Sequence, residues 1–138
     1  MLQSARAVYA CLAMAELANR FCDPKPVRLA DIADKHSIPQ RFLVQILLQL
    51  KSAGLVATTR GAMGGYQLTR APAEITLADV LAVVDGSEPP GDRIAALETA
   101  SVGLHAVWKR LNEAREKILT ETTLADLSPP HAAADYVI

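Results

Sequence analysis

Arg41 and Gln45 form the first pair of residues in this chain whose types and spacing suggest chemistry. They lie in the stretch Pro39–Ser52, whose apolar periodicity predicts a helix with Pro39 in its first turn. A spacing of four residues puts both side chains on one helix face. Arginine pairs bidentately with guanine and glutamine with adenine, so this face is suited to base edges in a DNA major groove. Gln40 and the helix N-terminus are candidates for phosphate contacts. The opposite face is predicted to pack inward through Leu43, Ile46, Leu47 and Leu50.

A glycine-rich turn carries the second group of candidate contacts. The β-prone runs LVATTR and YQLTR flank GAMGG, residues 61–65, which predicts a β-hairpin. Arg60, just before the turn, is suited to entering a minor groove. Glycines let a backbone approach DNA closely, and the candidates are Gly61, Gly64 and Gly65. The turn lacks the Lys-Ser/Thr that a phosphate-binding P-loop requires.

The elements around these residues predict a mainly α protein with a small β-hairpin wing. Residues 4–20 predict a buried helix, with Ser4 as N-cap and Ala5, Val8, Leu12 and Ala15 at helical spacing. Leu29–His36 predicts a short helix, and a tight turn at Ser37–Ile38 joins it to the helix that Gly54 ends. Two helices with a tight turn, followed by a hairpin, make a winged helix-turn-helix. A further helix is predicted over residues 76–86, capped by Thr76 and closed by Gly86.

The C-terminal part of the chain predicts one long helix from about Asp92 to Thr122. Apolar residues recur there in steps of three and four, interrupted by Ser101 and Arg115, which indicates a helix-pairing seam. We expect a dimer interface, and the alternative is packing on the same chain. The seam residues are Ile94, Leu97, Leu104, Trp108, Leu111 and Ile118. The predicted organisation is a DNA-binding domain at 1–86, a linker and dimerisation helix at 87–127, and a flexible tail at 128–138.

The charge of the chain divides unevenly along its length. Residues 1–70 hold nine Lys/Arg and four Asp/Glu, a net of +5, whereas residues 71–138 hold five and eleven, a net of −6. A basic half beside an acidic half favours a module that binds a polyanion. The two cysteines form no CxxC pair or disulfide framework, so a reducing cytoplasm is expected. Neither a catalytic triad, an HExxH motif nor a nucleotide-binding glycine loop is present, so no enzyme is predicted.

Several motifs together resemble the Rrf2 family of bacterial winged helix-turn-helix transcriptional regulators. They are VYACLAMAELA, LADIADKHSIPQRFLVQIL, GLVATTRGAMGGYQLTRAPAEITLADVLAVVDG, LHAVWKRL and TTLADL, and they cover nearly the whole chain. The resemblance implies a homodimer with crossed long helices on a partly palindromic double-stranded DNA operator. By position it makes Arg41, Phe42 and Gln45 recognition-helix contacts and Arg60 the wing arginine. Tyr66 is expected to hold the wing by packing.

The sequence departs from many family members at the site of an iron–sulfur cluster. Those members use three cysteines between the fourth helix and the long helix, where this chain has SEPPGDRIAALETASVGLHAVW without a cysteine. Val102 aligns with the last of those cysteines, and His105 aligns with a histidine that some members use as a ligand. One histidine without thiolates cannot hold such a cluster. The hypothesis is a cluster-free homodimeric repressor without a cofactor, sensing a protein, a small molecule or no signal. The alternative is a winged-helix protein-interaction module.

Overall fold

The computed structural model describes residues 4–85 and 101–127, which fold into helices around one core with a two-stranded antiparallel hairpin. This architecture confirms the predicted fold class. In chain order the elements are α1 (Ala5–Asn19), α2 (Leu29–His36), α3 (Gln40–Ser52), β1 (Val56–Thr59), β2 (Gly65–Leu68), a 3-10 turn (Pro72–Glu74), α4 (Leu77–Val84), α5 (Val102–Glu121) and α6 (Leu124–Leu127). None of the helices within these ranges is both long and apolar enough to cross a membrane.

Helix α1 is the centre of the core, and it packs against α2, α3, α4 and β2. Ser4 caps it as predicted, because its hydroxyl accepts a hydrogen bond from the Ala7 amide. The predicted stripe is wrong at Ala5 and Val8, which are exposed, whereas Leu12 packs half-buried against the core. Small side chains let several elements approach α1 closely, so the buried face is rich in alanine rather than in larger residues. The buried apolar residues are Ala7, Ala10, Ala13, Met14, Leu17 and Ala18.

The helix-turn-helix forms as expected, with one correction at Pro39. Ser37 adopts a left-handed conformation, φ 54° and ψ 44°, and the Ile38 amide closes the turn on the Ala33 carbonyl at 2.9 Å. Pro39 is the N-cap of α3 rather than part of its first turn, because its backbone is extended at ψ 127°. Gly54, at φ +81°, ends α3 as predicted, and the Leu55 amide bonds the Leu50 carbonyl. The inward face of α3 is confirmed at Leu43, Ile46, Leu47 and Leu50, all fully buried.

The long C-terminal helix starts later than the sequence predicted. It begins at Val102, and Ser101 precedes it with an extended backbone, φ −163° and ψ 117°. The Ser101 hydroxyl accepts a hydrogen bond from the Leu104 amide, so the residue taken as a polar interruption of the seam is an N-cap. One unbroken helix from Asp92 is therefore wrong. The expectations for Ile94, Leu97, the closing Gly86, the linker and the tail after residue 127 lie outside the described residues.

The end of α5 returns to the core of the winged domain. The Leu77 amide donates to the Thr122 carbonyl at 2.9 Å, and the Leu124 amide donates to the Ile75 carbonyl at 2.9 Å. Leu124 is fully buried in that core. In contrast, no residue of α5 itself is buried. The helix is thus fixed at its C-terminal end, while most of its surface is exposed to solvent. The predicted domain boundary at residue 86 remains a prediction.

A buried carboxylate joins α1 to α2. Glu16 is 1% exposed, forms ion pairs with Arg20 at 2.7 Å and Lys35 at 2.9 Å, and shares a hydrogen bond with His36 at 3.0 Å. Burial alone would raise the pKa of Glu16, but the hydrogen bonds from Lys35, His36 and Arg20 outweigh it and lower the pKa from 4.5 to about 2. Lys35 and His36 form the last turn of α2, so this cluster fixes where the helix-turn-helix leaves α1.

The Glu16 cluster predicts acid-dependent stability. Because the pKa of Glu16 is lower in the folded chain, its contribution is full above about pH 4.5 and is lost as the pH falls towards 2. At pH 7, Glu16→Gln should lower the free energy of unfolding by about 2 kcal/mol. This value is smaller than a fully buried ion pair would give, because water partly screens the exposed side chains of Arg20 and Lys35. Denaturant titrations between pH 7 and pH 2 should show the gap to wild type closing. The exposed Glu74→Gln is the control, and a gap independent of pH would contradict the prediction.

Candidate nucleic-acid interface

The predicted base-reading residues are exposed to solvent on the outer face of α3. Arg41 and Gln45 are exposed, one turn apart, on the side opposite the buried leucines and Ile46. The Arg41 guanidinium lies over the Phe42 ring, 4.9 Å from its centroid. This cation–π contact favours one position for a long, otherwise mobile side chain. The face combines a directed guanidinium with a nearby amide, the two groups that pair bidentately with guanine and adenine.

The N-terminus of α3 is free to accept an anion. The Pro39 carbonyl accepts hydrogen bonds from the amides of Phe42 and Leu43, both at 3.1 Å. No side chain among the described residues caps the start of this helix. Within the described part of the chain, no hydrogen bond engages the backbone amides of Gln40 and Arg41. Unpaired amides at a helix start, together with the helix dipole, attract phosphate groups.

Two contacts that sequence reasoning missed hold α3 and the wing in place. Arg6, on the first turn of α1, donates to the Gln49 side chain on α3. Arg28, the N-cap of α2, donates to the Ala62 carbonyl in the wing turn. Arg6 and Gln49 are 43 positions apart in the sequence, and Arg28 and Ala62 are 34 positions apart. No local sequence pattern predicts such pairs, because nothing around an arginine in the sequence indicates which distant residue it will contact.

Val27 is joined to the wing by a single antiparallel β-bridge to Tyr66. Its amide donates to the Tyr66 carbonyl at 2.9 Å, and the Tyr66 amide donates back to the Val27 carbonyl at 2.8 Å. Within the hairpin, β1 and β2 pair from Val56 with Leu68 to Thr59 with Gly65. The side chain of Tyr66 is half-buried and packs against the core, which agrees with its expected role in holding the wing by packing. Pro26, which favours extended backbone around it, was the signal available in the sequence.

The wing glycines serve two different purposes. Gly61 has φ +105°, a conformation that other residues rarely adopt, which agrees with the predicted turn. A Cβ atom on Gly64 would lie 2.0 Å from the Thr59 carbonyl oxygen, and one on Gly65 would lie 2.4 Å from that of Val27. The sequence suggested approach to DNA as the reason for Gly64 and Gly65, whereas the structure supplies packing inside the protein. Contact of these glycines with DNA stays a prediction.

The wing arginine is exposed and available to a polyanion. Arg60 follows β1 directly, and neither Arg60 nor Arg41 forms an ion pair with any residue in 4–85 or 101–127. Arg20 and Lys35, in contrast, are engaged by Glu16. Unpaired surface guanidinium groups attract phosphates and release counterions on binding.

The two cysteines occupy separate places away from the predicted seam. Cys11 is half-buried on α1 beside the core, where burial, together with the charge of Asp85, raises the pKa of its thiol. Cys22 is exposed in the loop after α1. Among the described residues, no group of three His, Cys, Asp or Glu side chains is placed to hold a metal ion.

Comparison with known proteins identifies the group to which this arrangement belongs. The Rrf2 family, described as iron-dependent transcriptional regulators, matches residues 3–130. Rv1287 of Mycobacterium tuberculosis, assigned to the HTH-type transcriptional regulators, is 37% identical over 96% of this chain and 87% of its own. The HTH-type transcriptional regulator CymR of Bacillus subtilis is 34% identical over 91% of this chain and 88% of its own. The solved structure of T. potens IscR superposes with a TM-score of 0.77 at 32% identity, covering 92% of this chain and 85% of that one. The chain therefore belongs to the Rrf2 family of winged helix-turn-helix transcriptional regulators.

Proposed function

We propose that this regulator is a homodimeric repressor that binds a specific double-stranded DNA operator in the cytoplasm. The observation that carries the proposal is the exposed Arg41–Gln45 face of α3, held by Arg6 and by the Glu16 cluster. A reading helix is useful only when its scaffold is rigid, because base recognition needs groups positioned to within a fraction of an ångström. The net charge of +5 on residues 1–70 supplies the attraction for phosphate on which such recognition rests.

A second copy of the chain is the proposed partner of α5. Leu104, Leu111 and Ile118 are exposed on a 20-residue helix that has no buried residue, and Trp108 is only half-buried. These four share one helix face, and burying them against a second α5 would remove apolar surface from water. A symmetric pair of winged domains would present two α3 helices to the two halves of a partly palindromic operator.

The family description names iron, and the residues of this chain do not fit the three-cysteine iron–sulfur cluster that the resemblance associates with many members. A cluster held by three cysteines needs more thiols than the two present. Cys11 lies on α1 with a raised thiol pKa, and the first residue of α5 is Val102, at the position where the resemblance implies the last of the three cysteines. The proposed regulator is therefore cluster-free, and a protein or a small molecule is the candidate signal.

Removing the Arg41 guanidinium should weaken and blur DNA recognition. Arg41→Ala is expected to cost about 1–3 kcal/mol in binding to the DNA upstream of its own gene, because a bidentate contact to guanine is lost. Fluorescence anisotropy against upstream and scrambled fragments, over a series of salt concentrations, measures both affinity and preference. Arg110→Ala, an exposed arginine on α5, is the matched control. Equal affinity of the wild type for both fragments would defeat the proposal and favour the protein-interaction alternative.

A charge in the α5 seam should separate the dimer. Leu111→Arg replaces an exposed apolar side chain, so the monomer should keep its fold while the paired helices lose their contact. Sedimentation velocity is expected to give a monomer for this variant and a dimer for the wild type. Ala106→Arg, exposed on the opposite face of α5, is the control and should remain dimeric. A monomeric wild type, or an unchanged Leu111→Arg dimer, would contradict the proposed interface.

The cluster-free proposal predicts a colourless, chelator-resistant protein. After anaerobic purification, the visible absorption spectrum should show no iron–sulfur band, and iron analysis should find far less than one iron per chain. Treatment with an iron chelator should leave operator affinity unchanged, because binding depends on side chains of α3 and the wing. A visible band that disappears together with DNA binding on chelation would show that the proposal is wrong.

A further inference from the structure

Two large apolar side chains on the outer face of α3 have no role in the protein core. Val44 is 47% exposed and Leu48 is 60% exposed, although both lie on the best-packed helix of the helix-turn-helix. Being four residues apart, they form one apolar strip, which we call the Val44–Leu48 ridge. The exposed apolar residues of α5 have a proposed partner in a second α5, whereas the ridge lies beside the DNA-reading residues Arg41 and Gln45.

Val44 and Phe42 lie on opposite sides of Arg41 around the helix, and Leu48 lies nearly in line with Arg41 two turns further on. At 100° per residue, Phe42 is displaced from Arg41 in one direction around α3, and Val44 is displaced about 60° in the other. The Arg41 guanidinium lies over the Phe42 ring, 4.9 Å from its centroid, and so leans away from Val44. The ridge is thereby left uncovered. The reading face has a polar side that offers hydrogen bonds and an apolar side that offers none.

An apolar side chain in a major groove has one base-specific target, the C5-methyl group of thymine. Cytosine and the purines present polar groups there, and burying these against valine or leucine would leave them without hydrogen bonds. We infer that the Val44–Leu48 ridge reads thymine methyl groups next to the guanine contacted by Arg41. This inference rests on the proposed sequence-specific binding and adds a second determinant of its specificity.

The spacing along α3 fits neighbouring base pairs. Val44 follows Arg41 by three residues, a rise of about 4.5 Å, which is close to the roughly 3.4 Å between successive bases of one strand. With α3 lying along the major groove, Val44 would fall beside a base pair next to the one that Arg41 contacts. Leu48 lies about 6 Å further along the helix axis and meets the following one or two base pairs. The expected operator element is a guanine flanked by one or more thymines.

Replacement of single thymines by deoxyuridine tests the inference, because only the methyl group is removed. The starting fragment is the upstream DNA that the wild type prefers over scrambled DNA. Guanines that the bound protein protects from chemical modification are located first. Each thymine within three base pairs of such a guanine is then replaced in turn, and the dissociation constants are measured. We expect a loss of about three- to fivefold at one or two positions, as for one buried methyl group. Thymines outside the protected region are the DNA control and should show no change.

The matched protein variant is Val44→Ala/Leu48→Ala. Alanine favours helix, and both positions are exposed, so the fold should persist, which a thermal unfolding curve checks. The variant should bind the thymine fragment more weakly and should not distinguish thymine from deoxyuridine. Equal sensitivity of wild type and variant to the missing methyl, or no sensitivity in the wild type, overturns the ridge inference while specific binding stands. If no fragment is preferred over scrambled DNA, the proposed function falls, and the ridge inference falls with it.

Discussion

The buried carboxylate of Glu16 is the interaction on which the rest of the structure depends. A charge that is 1% exposed is tolerable only when its hydrogen-bonding capacity is filled, and here Arg20, Lys35 and His36 fill it. Two of these partners form the last turn of α2, so satisfying the charge fixes that turn against α1. The left-handed Ser37 then sets the direction of α3. An electrostatic requirement in the core thus decides where the reading helix lies.

The residues proposed to meet DNA contribute little to the fold, and the residues that hold them contribute much. Arg41, Gln45 and Arg60 are exposed, whereas α3 is anchored by four fully buried side chains and the wing by backbone bonds to Val27. A side chain at Gly64 or Gly65 would clash with the carbonyl oxygen of Thr59 or Val27, so both positions require glycine. This division permits the reading face to change its base preference without disturbing the scaffold, as is common where binding groups sit on a rigid framework.

The junction between Ile75–Leu77 and Thr122–Leu124 links the proposed dimer to the proposed reading face. Two backbone hydrogen bonds and the buried Leu124 fix the end of α5 against α4. A change in the way two α5 helices cross would therefore move the winged domains as whole bodies. Because the spacing of two half-sites is a geometric requirement, a signal acting on the paired helices can alter operator affinity without touching α3. The proposed cluster-free dimer would in this way have a route from a signal to DNA.

The sequence by itself determined the elements whose signal is local. The helix-turn-helix, the inward face of α3, the hairpin and the stop at Gly54 follow from periodicity and turn chemistry over a few residues. Tertiary structure decided what depends on distant partners: the alanine-rich buried face of α1, the anchors from Arg6 and Arg28, and the crowding at Gly65. The prediction of an unbroken helix through Ser101 was wrong, because apolar spacing can continue across a capping residue at which the helix begins. Local backbone preferences act between neighbours in sequence, whereas burial is set by elements that meet only after folding.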